Sequence, residues 1–255
     1  MIIDAHAHIT AKNYGSVEAL IERYDEIGIS KGVLVPGGMI DVRMMDKVVS
    51  GEKPIATKPI PNYLVKDAMN KYPDRVFGFF CVDPNDGEVS INEFTDAVKT
   101  QGFCGLKLAP IVHRFSLKSN IVKELARTCS ELEVPCFFHT TDFEGSFTKD
   151  CHDLIKDCPN TKFILGHMGF GFSDSLSIEY AKKFENLYLE TSCASTSIVR
   201  QAIQTLGDTK VIFGSEYPMD DPFYALSKIT CLKLSEKSFE NVTCNNILNL
   251  LQKRG

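Results

Sequence analysis

The stretch "IIDAHAH", residues 2–8, decides the fold because it combines a strand-like pattern with two closely spaced histidines. Successive side chains of a strand point to opposite faces, so Asp4, His6 and His8 share one face. The ring nitrogens of two adjacent buried imidazoles need hydrogen-bond partners that a packed apolar core does not provide. One divalent metal ion could bind a nitrogen of each ring. An H-x-H pair by itself is equally compatible with a structural role, so the metal hypothesis depends on ligands elsewhere in the chain.

Seven further segments share the short, apolar and β-rich character of the first. They are "GVLVPG" (32–37), "VFGFFCV" (76–82), "FCGLKLAP" (103–110), "VPCFFHT" (134–140), "KFILGH" (162–167), "NLYLETS" (186–192) and "KVIFGSE" (210–216). Most are almost continuously apolar, which is typical of strands that are buried on both faces of a parallel sheet.

Helical periodicity separates these segments. Residues 16–28 and 119–133 place apolar side chains at helical spacing. Further helices are predicted at 89–100, 146–156, 173–184, 195–206, 221–233 and 235–253. Eight alternations of strand and helix predict an α/β fold, a parallel (β/α)₈ TIM barrel that occupies residues 1–255 as one domain. The long connection 38–75 contains "GEKPIATKPIP" and predicts an excursion from the barrel.

Composition excludes several classes of partner. The net charge of −5 and the pI near 5.7 argue against binding to nucleic acid or to an anionic membrane, since both need a basic surface. No apolar run approaches the roughly 20 residues of a membrane span, and the first residues lack the basic region of a signal peptide. The nine cysteines contain no C-x-x-C pair, which favours a reducing compartment and predicts a cytoplasmic location. Assembly into a homo-oligomer is left open.

Chemistry-bearing side chains collect at one end of the predicted strands. The chain has six histidines, and four of them, with one carboxylate, end predicted strands: His6, His8, His139, His167 and Glu216. Active sites of this fold lie at the carboxyl ends of the strands. Unrelated histidines would not be expected to gather at one rim, so their joint placement predicts a metal site.

Several motifs resemble the signature segments of the amidohydrolase superfamily. The similar segments are "DAHAH" (4–8), "PCFFHT" (135–140), "ILGHMG" (164–169) and "IFGSEYP" (212–218), together with "VFGFFCVDPND" (76–86) and "GFCGLKLAP" (102–110). They are most similar to the amidohydrolase-related branch, which also contains metal-dependent decarboxylases and hydratases. The resemblance covers about residues 2–222 and implies a distorted (β/α)₈ barrel with one or two divalent metals, often zinc, at its mouth.

The resemblance also implies roles for individual residues. His6 and His8 match metal ligands of the first strand, and His139 matches the ligand of the fifth strand. His167 matches a histidine that faces bound water or substrate in one-metal members and binds the second ion in two-metal members. The position of Glu216 is normally aspartate, so its longer side chain leaves open whether it ligates the metal, acts as the catalytic base, or does both.

Other polar residues are candidates for substrate binding. Lys107 matches a position that carries a bridging, carboxylated lysine in two-metal relatives, whereas in one-metal relatives it contacts substrate or pairs with a carboxylate. Arg43, His113 and Arg114 lie in loops on the same rim and could hold an anionic substrate. We expect one metal ion and an unmodified Lys107. Zinc suits histidine ligands, while manganese, cobalt and iron remain alternatives.

Three functions are compatible with these residues. The first is a metal-dependent hydrolase in which a metal-bound water cleaves an amide, ester or lactone of a small molecule. The second is a metal-dependent lyase, a non-oxidative decarboxylase or hydratase, whose substrate would be a carboxylate; the short chain argues against this alternative. The third is a catalytically inactive barrel that binds a metal or ligand, which the intact set of rim histidines disfavours.

Overall fold

The computed structural model describes residues 1–44, 47, 59–171 and 173–251. Its strand segments are β1 (Ile3–Ile9), β2 (Lys31–Pro36), β3 (Val76–Gly78), β4 (Phe80–Cys81), β5 (Leu106–Leu108), β6 (Cys136–Phe138), β7 (Phe163–Leu165), β8 (Leu187–Glu190) and β9 (Val211–Ile212). All pair in parallel, in the orders β1-β2-β3 and β4 to β9. Each of the eight predicted strand segments is therefore confirmed.

The third predicted strand is divided into β3 and β4, and the division joins the two sheets. The Phe79 N–H donates to the Leu34 carbonyl at 3.0 Å, while the next N–H, of Phe80, donates to the Gly105 carbonyl at 2.8 Å. One continuous stretch of chain therefore bonds to β2 on one side and to the residues before β5 on the other.

Hydrogen bonds between β1 and the segment around β9 close the sheet into a barrel. The Ala5 N–H donates to the Phe213 carbonyl at 2.9 Å, and the Glu216 N–H donates to the His6 carbonyl at 2.8 Å. The predicted (β/α)₈ barrel is confirmed, and its closure brings the first and last candidate residues together.

Helices cover the outside of the barrel. They are α1 (Val17–Ile27), α2 (Asn62–Lys71), α3 (Glu88–Thr100), α4 (Pro110–His113), α5 (Asn120–Glu131), α6 (His152–Asp157), α7 (Ser175–Lys183), α8 (Thr196–Leu206), α9 (Pro222–Thr230), α10 (Glu236–Glu240) and α11 (Asn246–Leu251). None of the helices in the described ranges has both the length and the apolar character needed to cross a bilayer.

The long connection after β2 is described only in part. Val42–Met44 forms a 3₁₀ turn, and α2 follows later in the connection. Residues 45–46 and 48–58, with most of "GEKPIATKPIP", lie outside the described residues.

The single helix predicted at 235–253 is wrong in its continuity. A π-helical turn, Asn241–Asn245, separates α10 from α11, and residues 252 and 253 lie outside the described part of the chain. The Val242 carbonyl in this turn accepts a hydrogen bond from the Phe213 N–H, just after β9, at 2.9 Å. A carbonyl of the helical segment is therefore bonded to the barrel. The side chain of Ile247 in α11 then packs with Ile3 and other interior residues of the barrel.

Asp4 is a buried hydrogen-bond hub between the first strand, α1 and the loop after β9. Its carboxyl group accepts from the Ser215 N–H at 2.9 Å, the Ser215 hydroxyl at 2.5 Å, the Tyr24 hydroxyl at 2.8 Å and the His6 N–H at 3.0 Å. Burial raises the pKa of Asp4 to about 6, against the effect of these donors. The hub therefore fixes the position of the loop that carries Glu216.

Removing this carboxyl group should destabilise the barrel strongly. Asp4→Ala leaves several buried donors without an acceptor, so we expect a loss of about 3–5 kcal/mol in the free energy of unfolding. Tyr24→Phe removes one donor and should cost about 1 kcal/mol. Urea denaturation followed by circular dichroism measures both, with exposed Asp67→Ala in α2 as control. A parent-like unfolding midpoint for Asp4→Ala would contradict the assignment of Asp4 as a hub.

Candidate metal centre

The barrel brings the rim histidines and the carboxylate of the eighth strand together. Ligand atoms of His6, His139, His167 and Glu216 all lie within 4.8 Å of one another. His8 borders this group, because its Nε2 lies 3.1 Å from Nε2 of His6 and 3.4 Å from Oε1 of Glu216. The five candidates thus share one site, and their individual roles stay predictions.

Two glycines allow this close packing. A Cβ atom at Gly166 would lie 2.4 Å from Cδ2 of His139, and one at Gly214 would lie 2.3 Å from Oε1 of Glu190. Side chains at either position would push these groups out of place. Gly166 of "ILGHMG" and Gly214 of "IFGSEYP" therefore leave the space that His139 and Glu190 occupy.

Residues of the cluster also adopt unusual backbone conformations. His167, Cys193 and Glu216 have φ angles of 60°, 57° and 65°, although none of them is glycine. The left-handed region costs a non-glycine residue roughly 1–2 kcal/mol. Such outliers collect where the surrounding structure holds a side chain in a required direction. The loops after β7, β8 and β9 each carry one of them.

The Nδ1 atoms of the β1 histidines face hydrogen-bond acceptors. Nδ1 of His8 lies 3.3 Å from the Pro36 carbonyl. Nδ1 of His6 lies 3.2 Å from Oε2 of Glu190 and 3.3 Å from the hydroxyl oxygen of Ser192. These acceptors favour protonated Nδ1, which leaves each Nε2 with its unshared electron pair turned toward the other. Such outer partners orient histidines that bind metals.

Lys107 lies between two of the histidines, a contact that sequence reasoning missed. Its Nζ is 3.0 Å from Nε2 of His6 and 2.8 Å from Nε2 of His139, and it lies 4.1 Å from the centre of the Phe137 ring. Burial lowers the pKa of Lys107 to about 8. The amine donates to imidazole lone pairs, so a metal ion at these histidines would have to displace it or share the space with it.

Electrostatics favour an ionised Glu216 and act differently on the four histidines around it. Burial alone would raise the pKa of Glu216, but the nearby histidines, led by His6, hold that pKa well below its usual range. Burial lowers the pKa of His139, His167 and His8. For His6, burial also acts to lower the pKa, but the Glu216 and Glu190 carboxylates together outweigh it, and the pKa is raised.

Oε2 of Glu216 indicates whether the site is suited to a cation. Oε2 of Glu216 lies 2.8 Å from Nδ1 of His6, yet no well-directed hydrogen bond reaches it from the described residues. Buried carboxylate oxygens are normally hydrogen-bonded or bound to a metal. An oxygen of this kind among several imidazole nitrogens fits a divalent ion of the first transition series.

Two cavities open above the cluster, with volumes of about 70 and 240 Å³. Ile111, His139, Glu216 and Met219 line both of them. The remaining walls are largely apolar, including Met39, Ile40, Val42 and Val112 in the smaller cavity and Phe170 in the larger one. The site therefore suits a small molecule with an apolar body and a polar group directed at the cluster.

The three other substrate-binding candidates lie near the cavities but do not line them. Arg43 is exposed and pairs with Asp41, its Nη2 lying 2.6 Å from the carboxylate. Arg114 is exposed, with its guanidinium 4.8 Å from the centre of the Phe143 ring. His113 is buried at the end of α4. Their roles in substrate binding stay predictions.

Glu190 and Ser192 are further polar residues beneath the cluster. Both are fully buried, and Oε2 of Glu190 lies 3.2 Å from Nδ1 of His6. The signal in the sequence is the segment "LETS", in which a carboxylate and a hydroxyl end an otherwise apolar strand.

Comparisons with known proteins identify relatives of this fold and site. The family model for amidohydrolases matches residues 3–251. A comparison with curated proteins gives no match. The structure is similar to that of 2,6-dihydroxybenzoate decarboxylase from Rhizobium, with 14% identity, a TM-score of 0.74, and coverage of 100% of this chain and 99% of that chain.

Two other similar structures are those of a probable hydrolase and of a second decarboxylase. One is a probable 2-pyrone-4,6-dicarboxylic acid hydrolase from Acinetobacter baumannii, with 17% identity, a TM-score of 0.72 and 98% coverage of both chains. The other is a dihydroxybenzoic acid decarboxylase from Polaromonas sp. JS666 with bound manganese and 2-nitroresorcinol, with 18% identity, a TM-score of 0.70, and coverage of 98% and 96%. Since the match extends over nearly the whole decarboxylase chains, the length argument against a decarboxylase no longer holds.

We expect the purified protein to bind close to one divalent ion per chain. Replacing both His6 and His8 with alanine should abolish binding, because too few ligands then remain. Elemental analysis and calorimetric titration with Zn²⁺ measure this. His152→Ala is the matched control, since His152 lies in α6 and pairs with Asp153. No bound transition metal after reconstitution, or an unchanged double variant, would contradict the prediction.

The number of metal ions can be tested at Lys107. Lys107→Met keeps the length of the side chain and removes its positive charge. With one metal and an unmodified lysine, the affinity for Zn²⁺ should rise by roughly tenfold or more, because a competing cation has been removed. If Lys107 instead bridges two ions as a carboxylated lysine, the variant will bind fewer ions and bind them more weakly. Calorimetric stoichiometry and affinity distinguish the two results.

Proposed function

The chain belongs to the amidohydrolase family, and from this premise we propose that it is a metal-dependent lyase that decarboxylates a small, partly apolar carboxylic acid without oxidation. The observation that carries the proposal is the meeting of two apolar-walled cavities at Glu216 and His139. Similarity to decarboxylase structures from Rhizobium and Polaromonas supports the same reaction class.

We propose that His6, His8 and His139 hold one divalent ion, with Glu216 as a further ligand when no substrate is bound. The metal would polarise the carboxylate of the substrate and an oxygen beside it. Zinc is our first choice because imidazole ligands predominate. Manganese, the ion in the Polaromonas structure, is the main alternative.

The apolar walls would hold the body of the substrate and exclude water. Ile111 and Met219 lie on both cavities and would contact opposite parts of the same molecule. A carboxylate in an apolar cavity is poorly solvated, whereas carbon dioxide is neutral. The loss of carbon dioxide thus relieves an unfavourable burial of charge.

Glu216 would carry the proton that the reaction needs. The proton adds to the carbon that bears the carboxylate, the bond between that carbon and the carboxylate breaks, and its electron pair stays with the substrate skeleton while carbon dioxide leaves. Glu216 is regenerated as a carboxylate and takes its next proton from substrate or solvent. Because its pKa is held well below the usual range, Glu216 rests as a carboxylate and has to take up this proton before it can deliver it. His167 lies beside it, with Nε2 3.8 Å from Oε2.

A hydrolase is the second candidate, and the ionised state of Glu216 favours it. A carboxylate that faces the cavity can accept a proton from water as general base during attack on an amide, ester or lactone. Lys107, beside His6 and His139, would then contact an anionic part of the substrate, together with the more distant Arg43, His113 and Arg114. Similarity to the Acinetobacter hydrolase structure fits this candidate.

Isotope labelling distinguishes the two reactions. A panel of hydroxybenzoic acids and a panel of lactones and esters would be incubated with the metal-loaded protein in D₂O and in H₂¹⁸O. A decarboxylase releases carbon dioxide and places one deuterium on carbon, whereas a hydrolase places ¹⁸O in its product. Turnover of lactones with ¹⁸O incorporation and no carbon dioxide from any acid would refute the lyase proposal.

Cellular context remains a proposal as well. All nine cysteines are free and seven are buried, which fits their interpretation as small apolar side chains in a reducing compartment. Cys193 is partly exposed at the larger cavity. We propose a cytoplasmic location and a small-molecule partner rather than nucleic acid or a membrane.

Glu216→Gln should reduce turnover by about 10²–10⁴-fold, since the amide keeps the shape but cannot carry the proton. Metal content should change little, because three histidines remain. Glu216→Asp should retain part of the activity, and exposed Glu185→Gln is the neutral control. Steady-state rates and elemental analysis are measured on the same samples. Parent-like turnover would place the proton carrier elsewhere, with His167 the first alternative, and loss of the metal would make Glu216 chiefly a ligand.

A further inference from the structure

A short hydrogen-bonded chain links Glu190, Ser192 and His167 beneath the cluster. The Ser192 hydroxyl oxygen lies 2.7 Å from Oε2 of Glu190 and 2.9 Å from Nδ1 of His167. The Ser192 carbonyl lies 3.3 Å from the same Nδ1. Glu190 and Ser192 are both fully buried, so the direction of these hydrogen bonds is set by neighbouring protein groups and not by bulk solvent.

Backbone amides determine the role of Glu190 in this chain. Its Oε1 accepts from the Ser192 N–H at 2.5 Å, and its Oε2 accepts from the His167 N–H at 3.2 Å. An amide N–H can only donate, so both carboxylate oxygens are acceptors. One N–H at each oxygen is the arrangement that suits an ionised carboxylate, so the hydrogen in the 2.7 Å contact between the two side chains belongs to the Ser192 hydroxyl, which donates it to Glu190.

The direction of the last hydrogen bond follows. Once its hydrogen points to Glu190, the Ser192 hydroxyl oxygen can only accept, from Nδ1 of His167 at 2.9 Å and from Nδ1 of His6 at 3.3 Å. The Ser192 carbonyl can also only accept, and it faces Nδ1 of His167. Both neighbours of that nitrogen thus require a hydrogen on it.

We propose that Ser192 and Glu190 are positioning residues that fix His167 as the Nδ1–H tautomer and keep its Nε2 unprotonated toward the cavity. An imidazole in water prefers the opposite tautomer, with hydrogen on Nε2, so the protein has to impose this one. The free Nε2 can then accept a proton or a hydrogen bond from substrate, or approach the metal, on the side where Glu216 lies. The consequence for turnover rests on the proposed function, whereas the tautomer itself does not.

Nitrogen NMR of the full-length protein tests the tautomer directly. Protein labelled with ¹⁵N-histidine would be recorded at neutral pH, with and without Zn²⁺, in spectra that correlate ring nitrogens with ring carbon-bound hydrogens. His167→Gln identifies the signals of His167 among the six histidines. We expect Nδ1 to carry the hydrogen and Nε2 to lack one in the metal-free parent. A metal-free parent in which Nε2 of His167 carries the hydrogen would overturn the proposal without any variant.

Substitution of Ser192 tests whether its hydroxyl group imposes the Nδ1–H tautomer on His167. In Ser192→Ala only the more distant carbonyl remains, so the Nε2–H form should rise from a minor species to about half or more of the population. Ser90→Ala is the matched control, because Ser90 is also buried and donates to a backbone carbonyl, that of Gly87 in the turn before α3. An unchanged tautomer in folded Ser192→Ala would show that Ser192 does not position His167.

Turnover provides the second readout once a substrate is known. Outer hydrogen-bond partners typically contribute 10–100-fold, so kcat should fall by at least about tenfold in Ser192→Ala, with little change in KM, and Ser192→Thr should restore part of it. A relaxed tautomer with unchanged kcat would mean that the reaction does not use His167. That result would contradict the role given to His167 under the proposed function while leaving the positioning by Ser192 intact.

Discussion

Unshared electron pairs of imidazole nitrogens crowd a buried space at the carboxyl ends of the strands, and the site depends on a positive charge to hold them together. Nε2 of His6 and Nε2 of His8 lie 3.1 Å apart, and the carboxylate of Glu216 adds negative charge. Without a proton or a cation between them, these groups repel one another. Lys107 supplies that charge through its contacts with His6 and His139. Metal binding and the amine of Lys107 are therefore competing solutions to the same electrostatic problem.

The barrel offsets this repulsion with interactions away from the metal ligands. Asp4 fixes the loop after β9 from below by accepting from Ser215 and Tyr24. Gly214 allows Glu190 to lie against β1. The left-handed conformations of His167 and Glu216 cost free energy locally, and the hydrogen bonds around them hold those conformations in place. The site is thus rigid because its supports are buried in the same structure that closes the barrel.

The sequence predicted the strands, the helices and the residues at the carboxyl ends of the strands more reliably than the contacts between side chains. Alternation of apolar segments and helical patterns placed the strands because both signals are local, and the carboxyl-end rule then gathered His6, His139, His167 and Glu216. The break in the last helix was not predictable, because the Val242 carbonyl is taken up by a residue nearly thirty positions earlier in the chain. The position of Lys107 between two histidines and the direction of the Ser192 hydroxyl likewise depend on side chains from different strands. Local patterns carry no information on such contacts.

One carboxylate is compatible with two reaction classes because its protonation, rather than its position, separates them. Glu216 lies where both cavities meet, so any bound molecule places its reacting atoms beside the same oxygen atoms. As a carboxylate it would activate water, and as a carboxylic acid it would give a proton to carbon. Which role prevails depends on whether water can enter with the substrate. A substrate whose apolar body fills the space between Ile111 and Met219 would leave little room for water, and this is the physical argument for proposing decarboxylation rather than hydrolysis.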